Sequence, residues 1–436
     1  SPLFSLDLKS KIKIGNLNDD INKVSDVDWI IEVVVEKLHI KKTVYDLIEK
    51  HRKKETIITT NTSGIPISHI SKGRSKNFKE MFCGTHFFNP PRYLRLLEII
   101  PGKETNKNII SFFKNFGSVV LGKETVECKD TPAFIANRLG IYSIMSSIHS
   151  VEEMELGIAE VDVLTGTLIG RPKSATFRTM DVVGLDTAVN VANNLQKDLK
   201  EDESIFKFKL PSIVEKLYKK NFWGDKTKQG FYKKTINEKR KKEILEINPK
   251  TLVYTTIEKT KSPLIKEAKK IDNLKERLQF LIKSKNKYGD FYRKTFYDSF
   301  RYCSLRIPEV SDDIHKIDSA ICAGFGWKLG PFETWDALGV KKTTELMIKN
   351  KQKPATWVLE MLNSGINKFY RYTGSQKEYY DIKNKKYSKI PGTEGVVLLD
   401  AFKKNNIVWS NKGSTLYDIG DGILNLEFHT KMNTMG

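Results

Sequence analysis

The stretch that decides the fold is GTHFFNPPRYLRLLEII, residues 84–100. His86 stands in one apolar run, Glu98 stands twelve residues later in a second, and two prolines separate the runs. If the chain reverses at residue 92, the runs pair as a hairpin in which positions 86 and 98 face each other, with β-carbons about 5 Å apart. We therefore predict that Glu98 accepts a hydrogen bond from one imidazole nitrogen and that the other nitrogen faces a crevice. A buried histidine that a carboxylate satisfies for structural reasons alone is the competing interpretation.

The segments before this hairpin alternate between strand and helix patterns. Residues 28–35 (DWIIEVVV) form an apolar run, residues 36–52 show helical spacing, and residues 56–64 return to a strand pattern that ends in turn residues. Such alternation predicts a parallel, doubly wound sheet, whose ligand crevice lies at the carboxyl ends of its strands. The polar residues at these strand ends, which we expect to converge, are Glu36, Asn61, Ser63 and His86.

Residues 128–140 (CKDTPAFIANRLG) begin a helical pattern. Thr131 is predicted as the N-cap and Pro132 as the first helical residue, a position that tolerates proline. Asn137 falls on the apolar face of this helix, where an amide is either a hydrogen-bonded core residue or a group that reaches a ligand.

A weak internal repeat links two later segments. Residues 162–184 and 318–339 each contain an aspartate, a glycine eight residues later, and then phenylalanine, aspartate and glycine at identical mutual spacing. The last three matched residues are Phe177, Asp181 and Gly184 in the first segment and Phe332, Asp336 and Gly339 in the second. The pattern predicts two copies of one all-helical domain packed together.

Length and composition bound the possible classes. The 436 residues suffice for two or three domains, and no apolar run reaches the ~18 to 20 residues of a membrane helix, so we expect a cytoplasmic protein without a membrane span. The net charge of +21 comes from lysines scattered among acids, without the motif of a nucleic-acid reader; it suits an anionic substrate instead. The four cysteines lack metal-ligand spacing, so we predict reduced core residues and no metal.

Two polar, charge-rich segments, residues 236–260 and 377–412, are predicted to be linkers. Residues 413–436 follow, with alternating apolar positions around a Gly-Asp-Gly turn, which predicts a hairpin that begins a further domain. The chain starts without methionine and stops after this hairpin, so we expect a fragment.

Taken together, these segments resemble the L-3-hydroxyacyl-CoA dehydrogenase family of fatty acid β-oxidation. The motifs that carry the resemblance are IIEVVVEKL, NTSG, GTHFFNPP, LLEIIPG, CKDTPAFIANRL, IGRPKSATFRTMDVVGLD and KQGFYKK. The likeness covers residues 17–235 and extends to about residue 345. More narrowly, the chain is similar to the dehydrogenase part of bacterial bifunctional enzymes that also carry an enoyl-CoA hydratase, because residues 413–436 look like the first strands of a crotonase-like domain.

The resemblance implies NAD-dependent oxidation of 3-hydroxyacyl-CoA to 3-ketoacyl-CoA. His86 corresponds to the general base that takes the proton of the 3-hydroxyl while C3 gives a hydride to NAD, and Glu98 corresponds to the partner that orients it. Ser63 and Asn137 correspond to the residues that hydrogen-bond the oxygen at C3. The cofactor-site candidates are Glu36 and Lys41, on the nicotinamide-ribose side, and Asn61 with Ser63 at the same sheet edge.

Two departures from the family pattern stand out. Ala133 occupies a position where the family often has glycine, and we expect the first turn of a helix to tolerate the extra methyl group. The GxGxxG motif that holds the pyrophosphate, and the acid that selects NAD over NADP, do not occur in the chain. We therefore expect the isolated polypeptide to bind the cofactor poorly and the intact parent to be active.

The predicted architecture is an α/β, partial Rossmann-type doubly wound sheet followed by all-α 3-hydroxyacyl-CoA dehydrogenase C-terminal domains in two copies, with the start of a crotonase-like domain at the end. The predicted boundaries are 1–126 for the incomplete NAD-binding domain, 127–235 and 261–376 for the two helical copies, 236–260 and 377–412 for the linkers, and 413–436 for the crotonase-like start. The two copies are expected to form an internal pseudo-dimer, which would leave the protein monomeric. Two alternatives stay open: a non-catalytic acyl-CoA-binding or scaffold fragment, and a related dehydrogenase of 3-hydroxybutyryl-CoA.

Overall fold

Most of the chain is described by the structure, a computed structural model. The described residues are 3, 5–238, 240–258, 260–374, 376–393, 397–402, 406–430 and 433–434. Single residues or short runs of the predicted ranges 1–126, 236–260, 261–376, 377–412 and 413–436 therefore lie outside the described residues. Among the described residues, no helix is both long and apolar enough to cross a membrane, and no three His, Cys, Asp or Glu side chains are grouped to hold a metal ion.

A five-stranded sheet is the framework of the N-terminal region. Its strands are β1 (Trp29–Glu32), β2 (Ile57–Thr60), β3 (Phe82–Phe87), β4 (Leu96–Pro101) and β5 (Glu124–Glu127). They lie side by side in that order; only the β3–β4 pair is antiparallel. The accompanying helices are α1 (Leu38–His51), α2 (Ile67–Ser71), α3 (Lys76–Glu80) and α4 (Lys107–Asn115). The predicted alternation of strands and helices is confirmed.

The predicted hairpin is formed by β3 and β4. Its register pairs His86 with Glu98, so the chain reverses around residue 92 as expected. Both strands are buried along nearly their whole length, because helices and the second half of the molecule cover both faces of the sheet; such strands carry apolar residues at consecutive positions. The register therefore sets the two polar side chains against each other inside the core.

The helix that follows the sheet begins later than predicted. α5 spans Ala136–Met154, and Thr131 and Pro132 precede it in a turn. Ala133 and Phe134 have left-handed φ angles of 59° and 53°, a region that strains a residue with a β-carbon but not glycine. The expectation that Ala133 lies in a helical first turn is therefore wrong, and the left-handed turn explains why the family often places glycine there.

Replacing Ala133 by glycine is expected to raise the free energy of unfolding by roughly 0.5 to 1 kcal/mol. Relief of the left-handed strain gains about 1 to 2 kcal/mol, and the greater freedom of glycine in the unfolded chain takes back about 0.5 to 1 kcal/mol. Denaturant unfolding measures the change. Ala136→Gly, at the first helical residue of α5, is the control and should lower stability by up to about 1 kcal/mol; a loss of stability in both variants would contradict the prediction.

Residues 136–256 form the first helical unit. Its helices are α5, α6 (Ile158–Thr165), α7 (Phe177–Val183), α8 (Leu185–Asp198) and α9 (Ser212–Lys219), and it ends in the antiparallel strands β6 (Tyr232–Ile236), β7 (Lys242–Ile247) and β8 (Tyr254–Thr256). The prediction of 236–260 as a linker is therefore wrong. The charged residues of KEILEI give this segment the composition of a linker, but in the structure Leu245 is part-buried and Ile247 is buried, while Ile244 stays exposed.

Residues 263–389 form the second helical unit. Its elements are α10 (Pro263–Ala268), α11 (Leu274–Lys283), α12 (Lys287–Leu305), α13 (Ile314–Phe325), α14 (Pro331–Leu338), α15 (Val340–Lys349), α16 (Thr356–Asn363), β9 (Tyr370–Thr373), β10 (Gln376–Asp381) and β11 (Lys386–Lys389). β10 is the central strand of an antiparallel sheet, as β7 is in the first unit. The prediction of a linker is wrong for residues 377–389, because β10 and β11 belong to this unit.

Buried aspartates tie the helices of the first unit to its sheet. Asp181 accepts the backbone N–H groups of Phe231 and Tyr232 at 2.9 and 2.8 Å. Asp162 accepts the N–H of Phe177 at 2.7 Å and the hydroxyl of Tyr232 at 2.8 Å. Burial raises the pKa of both carboxyls to about 6.

The second unit repeats these hydrogen bonds. Asp336 accepts the N–H groups of Phe369 and Tyr370 at 2.8 Å each, and Asp318 accepts the N–H of Phe332 at 2.9 Å and the hydroxyl of Tyr370 at 2.8 Å. Burial raises the pKa of Asp336 to about 7. The repeat found in the sequence is thus a repeat of contacts, and it includes a tyrosine and a sheet that the sequence comparison did not match.

Helix α5 packs directly on the second unit. The Tyr142 hydroxyl donates to Asp298 of α12 at 2.8 Å, and the Tyr142 ring stacks on Tyr302 with centroids 3.6 Å apart. A β-carbon at Gly140 would lie 2.1 Å from the ring of Phe325 in α13, so glycine allows this close approach. The two units therefore meet across the helix that follows the sheet.

The last described strands form a small separate sheet. They are β12 (Ile407–Ser410), β13 (Ser414–Asp418) and β14 (Leu424–Phe428), with β13 in the centre. The hairpin predicted around Gly-Asp-Gly is confirmed, since β13 pairs with β14 from Ser414–Phe428 to Asp418–Leu424. Its assignment to a crotonase-like domain stays a prediction.

Candidate active site

The predicted histidine–carboxylate pair forms. His86 Nδ1 lies 2.7 Å from Glu98 Oε2, and the two residues are 4% and 0% exposed. Among the described residues, His86 Nε2 makes no hydrogen bond. The imidazole thus has one nitrogen held by a carboxylate and one without a hydrogen-bond partner in the described residues.

The second oxygen of Glu98 is held by the start of α5. Glu98 Oε1 accepts the N–H groups of Ile135 and Ala136 at 3.1 and 2.9 Å, and the thiol of Cys128 at 3.5 Å. Unpaired N–H groups at a helix N-terminus favour an anion. Burial and, to a lesser extent, Glu98 raise the pKa of the Cys128 thiol well above its usual range, so this thiol stays a donor. The side chain of Glu98 is therefore fixed in position, which the left-handed turn before α5 makes possible.

Aromatic rings enclose the imidazole. Phe88 and Phe134 lie with their centroids 4.8 and 5.8 Å from that of His86. An apolar surround lowers the local dielectric and strengthens the interaction between His86 and Glu98. Phe134 owes its place to its left-handed backbone, so the turn that positions the N–H groups also supplies one wall.

Ser63 and Asn137 come together from separate domains. The side-chain amide of Asn137 donates to the carbonyl oxygen of Ser63 at 3.3 Å. The backbone N–H of Ser63 donates to Glu36 Oε1 at 3.0 Å. Within the described residues the Ser63 hydroxyl forms no hydrogen bond, so it is available to a ligand.

Glu36 and Lys41 differ in accessibility. The Glu36 side chain is 35% exposed and Lys41 is 1% exposed; Lys41 Nζ lies 3.2 Å from Glu36 Oε2 and 2.9 Å from Glu32 Oε1. Glu32 is buried and also accepts hydrogen bonds from Tyr45 and Thr60. The structure places Lys41 beneath the cleft, where it orients Glu36. Sequence reasoning missed Glu32, whose signal is a carboxylate inside an apolar strand.

Asn61 links two strand ends. Its side-chain oxygen accepts the N–H of Phe87 at 2.8 Å. This bond holds the end of β2 against the residue that follows His86. Asn61 is thus part of the predicted sheet edge, with its oxygen already committed to the backbone.

A buried ionic cluster anchors the first turn of α5. Asp202 Oδ2 accepts hydrogen bonds from Arg138, Tyr302 and Arg306, each at 2.7 Å. Arg138 has no exposed side-chain surface and directly follows Asn137. In the sequence, this cluster is indicated only by Arg138, a charged residue within the apolar stripe of α5. The partners of Arg138 come from a distant loop and from the second unit.

Two cavities adjoin the sheet edge. One of about 1050 Å³ is lined by Glu36, Gly64, Pro132 and Arg138 among others. The other, of about 390 Å³, shares Glu36 and Pro132 and is also lined by Ser63. His86 lines neither of them. A crevice is therefore present at the carboxyl ends of the strands, but the prediction that the free nitrogen of His86 faces it is not confirmed by these two cavities.

Comparison with known proteins places the first half of the chain. The sequence profile described as "3-hydroxyacyl-CoA dehydrogenase, NAD binding domain" matches residues 4–131, and that of "3-hydroxyacyl-CoA dehydrogenase, C-terminal domain" matches residues 134–234. Mitochondrial hydroxyacyl-coenzyme A dehydrogenase of Homo sapiens is 32% identical over 52% of this chain and 69% of its own length. The chain belongs to the 3-hydroxyacyl-CoA dehydrogenase family.

Other relatives extend further along the chain. A Bacillus subtilis protein named "Probable 3-hydroxyacyl-CoA dehydrogenase" is 43% identical over 437 residues, which is 100% of this chain and 54% of that protein. The chain therefore spans about half the length of that relative. The structure of 3-hydroxybutyryl-CoA dehydrogenase from Escherichia coli superposes with a TM-score of 0.58 at 20% identity, over 79% of this chain and 84% of that one, and shares the fold. The resemblance drawn from the motifs is confirmed: an NAD-binding α/β domain precedes the helical C-terminal domain of the 3-hydroxyacyl-CoA dehydrogenase family.

Proposed function

We propose that this protein oxidises L-3-hydroxyacyl-CoA to 3-ketoacyl-CoA with NAD, in fatty acid oxidation, and that His86 is the general base. The observation that carries the proposal is the 2.7 Å contact between His86 Nδ1 and Glu98 Oε2, with Nε2 left without a partner in the described residues. A merely structural histidine would have both nitrogens satisfied, since buried polar atoms are nearly always hydrogen-bonded.

The reaction follows from the two nitrogens of His86. Nε2 accepts the proton of the 3-hydroxyl, while Glu98 accepts the Nδ1 hydrogen, fixes the tautomer and stabilises the imidazolium that forms. When bound, NAD supplies the acceptor for the hydride that leaves C3. Phe88 and Phe134 exclude water from the imidazole, which strengthens its interaction with Glu98.

The cleft offers groups suited to the cofactor and to the reacting oxygen. Glu36 would hold a ribose hydroxyl at the nicotinamide end, because it is part-exposed at the strand ends and Lys41 fixes it from below. Ser63 and Asn137 would donate to the oxygen at C3 as negative charge develops there. Asn61 contributes by keeping the ends of β2 and β3 together.

The substrate class is supported by charge and size. The wall of the larger cavity carries six acidic and four basic side chains; Arg138 and Arg306 are paired with Asp202, which leaves Lys197 and Lys200 for the phosphates of coenzyme A. A related dehydrogenase that prefers 3-hydroxybutyryl-CoA would use the same groups. The second helical unit repeats the aspartate contacts of the first, and we propose that it is a second copy of the C-terminal domain and makes the protein a monomer with an internal pseudo-dimer.

The test is NADH formation by the purified full-length gene product with L- and D-3-hydroxyacyl-CoA of short and long chain. We expect turnover of the L form only. Binding of acyl-CoA without turnover would instead favour the non-catalytic scaffold, and turnover confined to the C4 substrate would favour a 3-hydroxybutyryl-CoA dehydrogenase.

Asn137→Ala is expected to lower kcat about 10- to 1000-fold, the effect of losing one oriented donor, and Ser63→Ala should fall in the same range. Initial rates with saturating substrate measure it. Asn350→Ala, at the exposed end of α15, is the matched control and should leave kcat unchanged. Rates near normal in both site variants would remove these residues from the mechanism.

A further inference from the structure

A cavity of about 740 Å³ lies in the first helical unit, away from His86 and Glu98. It is bounded by α6, by strands β6 and β7, and by the segment that leads into and through α10. Ligand pockets typically measure about 300 to 1,000 Å³. None of the residues assigned above to catalysis or cofactor binding lines it.

One part of the cavity wall is apolar. It is formed by Val163 of α6, by Leu168 just after α6, by Ile244 of β7 and by Ile257. Ile244 is 50% exposed although it belongs to a central strand. A ligand with a hydrocarbon portion would cover this surface and gain about 25 cal/mol for each Å² removed from water.

The remaining wall is strongly cationic. Five of its residues are basic and two, Asp162 and Asp225, are acidic. Asp162 is saturated by backbone N–H groups and by Tyr232, and Asp225 accepts two hydrogen bonds from Arg178, at 2.9 and 2.6 Å. The remaining basic side chains of the wall are Lys173, Lys228, Lys234 and Lys269. Of these, only Lys234 forms an ion pair in the part of the chain that the structure describes, 3.5 Å from Asp225.

In the second helical unit, side chains fill the place that corresponds to this cavity. Tyr232 and Tyr370 occupy equivalent positions, because each donates its hydroxyl to the first aspartate of its unit. Two residues further on, β6 pairs Lys234 with Ile244, and β9 pairs Tyr372 with Lys377. Ile244 in the first unit therefore corresponds to Lys377 in the second.

The partner of Lys377 is also a matched position. Arg178 follows Phe177 as Glu333 follows Phe332, so these two residues correspond. In the second unit Lys377 forms an ion pair with Glu333, and both side chains are only 20% exposed. The first unit replaces this internal pair with an isoleucine and an arginine that line an open cavity.

We propose that this cavity binds an amphipathic anion, namely an alkyl chain that carries a carboxylate or a phosphate. The apolar wall takes the chain, and the unpaired lysines take the head group. The site is separate from the dehydrogenase cleft, and the proposal does not depend on the proposed function.

The test is calorimetric titration of the 436-residue chain with dodecanoate and dodecyl phosphate, below their micelle concentrations. Dodecanol and inorganic phosphate serve as probes of each half alone. We expect at least one alkyl anion to bind, and both half-probes to bind at least about tenfold more weakly, because each lacks one set of contacts. Preference between dodecanoate and dodecyl phosphate identifies the head group. Equal binding of dodecanol and both anions, or no binding of either anion, would overturn the proposal.

A double variant locates the site. Arg178→Glu with Ile244→Lys copies the ion pair of the second unit into the first and should lower the affinity at least about tenfold, as the cavity is filled and a carboxylate is added to its wall. Lys341→Ala, on exposed α15, changes the net charge by the same amount and should bind normally. Should the double variant fail to fold, Lys228→Glu at the exposed rim gives the same comparison. Unchanged affinity in the folded variant would exclude this cavity as the site.

Discussion

Replacement of His86 by glutamine should reduce the kcat of the full-length gene product about 10²- to 10⁴-fold, the usual contribution of a general base. Glutamine is similar in size and keeps a polar group facing Glu98, so the pocket should retain its shape. Acyl-CoA binding should change little, because Nε2 acts on the proton that is transferred rather than on the coenzyme A moiety. The residual rate should rise with pH, since hydroxide must then remove the proton that Nε2 would have accepted.

Steady-state kinetics over a range of pH, together with thermal unfolding, measure the effect of His86→Gln. His51→Gln is the matched control, because His51 lies exposed at the end of α1. An unfolding temperature near that of the unmodified protein would show that the loss is chemical. Near-normal turnover in a folded His86→Gln protein would show that His86 is not the general base.

Glu98→Gln should reduce kcat about 10³- to 10⁴-fold, the range expected when a base is held in the wrong tautomer. Glu98 Oε1 accepts the N–H groups of Ile135 and Ala136, so the amide must place its carbonyl oxygen there. Its NH2 group then faces Nδ1 of His86, which becomes an acceptor. The proton moves to Nε2, and the nitrogen that should accept the substrate proton already carries one.

This prediction has a readout that does not depend on turnover. Nitrogen chemical shifts of the His86 ring distinguish the two neutral tautomers, and we expect them to exchange between the unmodified protein and Glu98→Gln. Glu127→Gln, which alters a part-exposed carboxylate of β5, is the control and should change neither the ring nor the rate. Retention of both the tautomer and the rate in Glu98→Gln would show that this carboxylate has no orienting role.

The contact between His86 and Glu98 could be predicted from sequence because a hairpin register is local. Two apolar runs and an intervening Pro-Pro turn determine which residues face each other, and the side-chain alternation leaves one choice of face. The convergence of Glu36, Ser63 and Asn61 followed from a similarly general rule for strand ends. Both predictions needed only the order of elements along the chain.

The contacts that could not be predicted depend on distant residues. The left-handed turn at Ala133 and Phe134 precedes the two N–H groups that donate to Glu98, which lies on β4, more than thirty residues earlier in the chain. From sequence alone, Lys41 is expected to be an exposed lysine of a helix. In the structure it is buried and forms an ion pair with the buried Glu32. The strands in 236–260 and 377–412 are rich in charged residues, so their composition is that of a linker, although Ile247, Tyr379 and Tyr380 are buried in the fold.

Helix α5 has one further consequence for how the protein loses activity. Its N-terminal N–H groups hold Glu98, while Arg138 donates to Tyr302 and Tyr142 donates to Asp298, both of which belong to the second unit. Detachment of the second unit would remove the Tyr302 hydroxyl from the buried Arg138 guanidinium. It would also free the start of α5, whose N–H groups hold Glu98. We therefore expect loss of activity and loss of tertiary structure in this part of the molecule to occur together, as one all-or-none process.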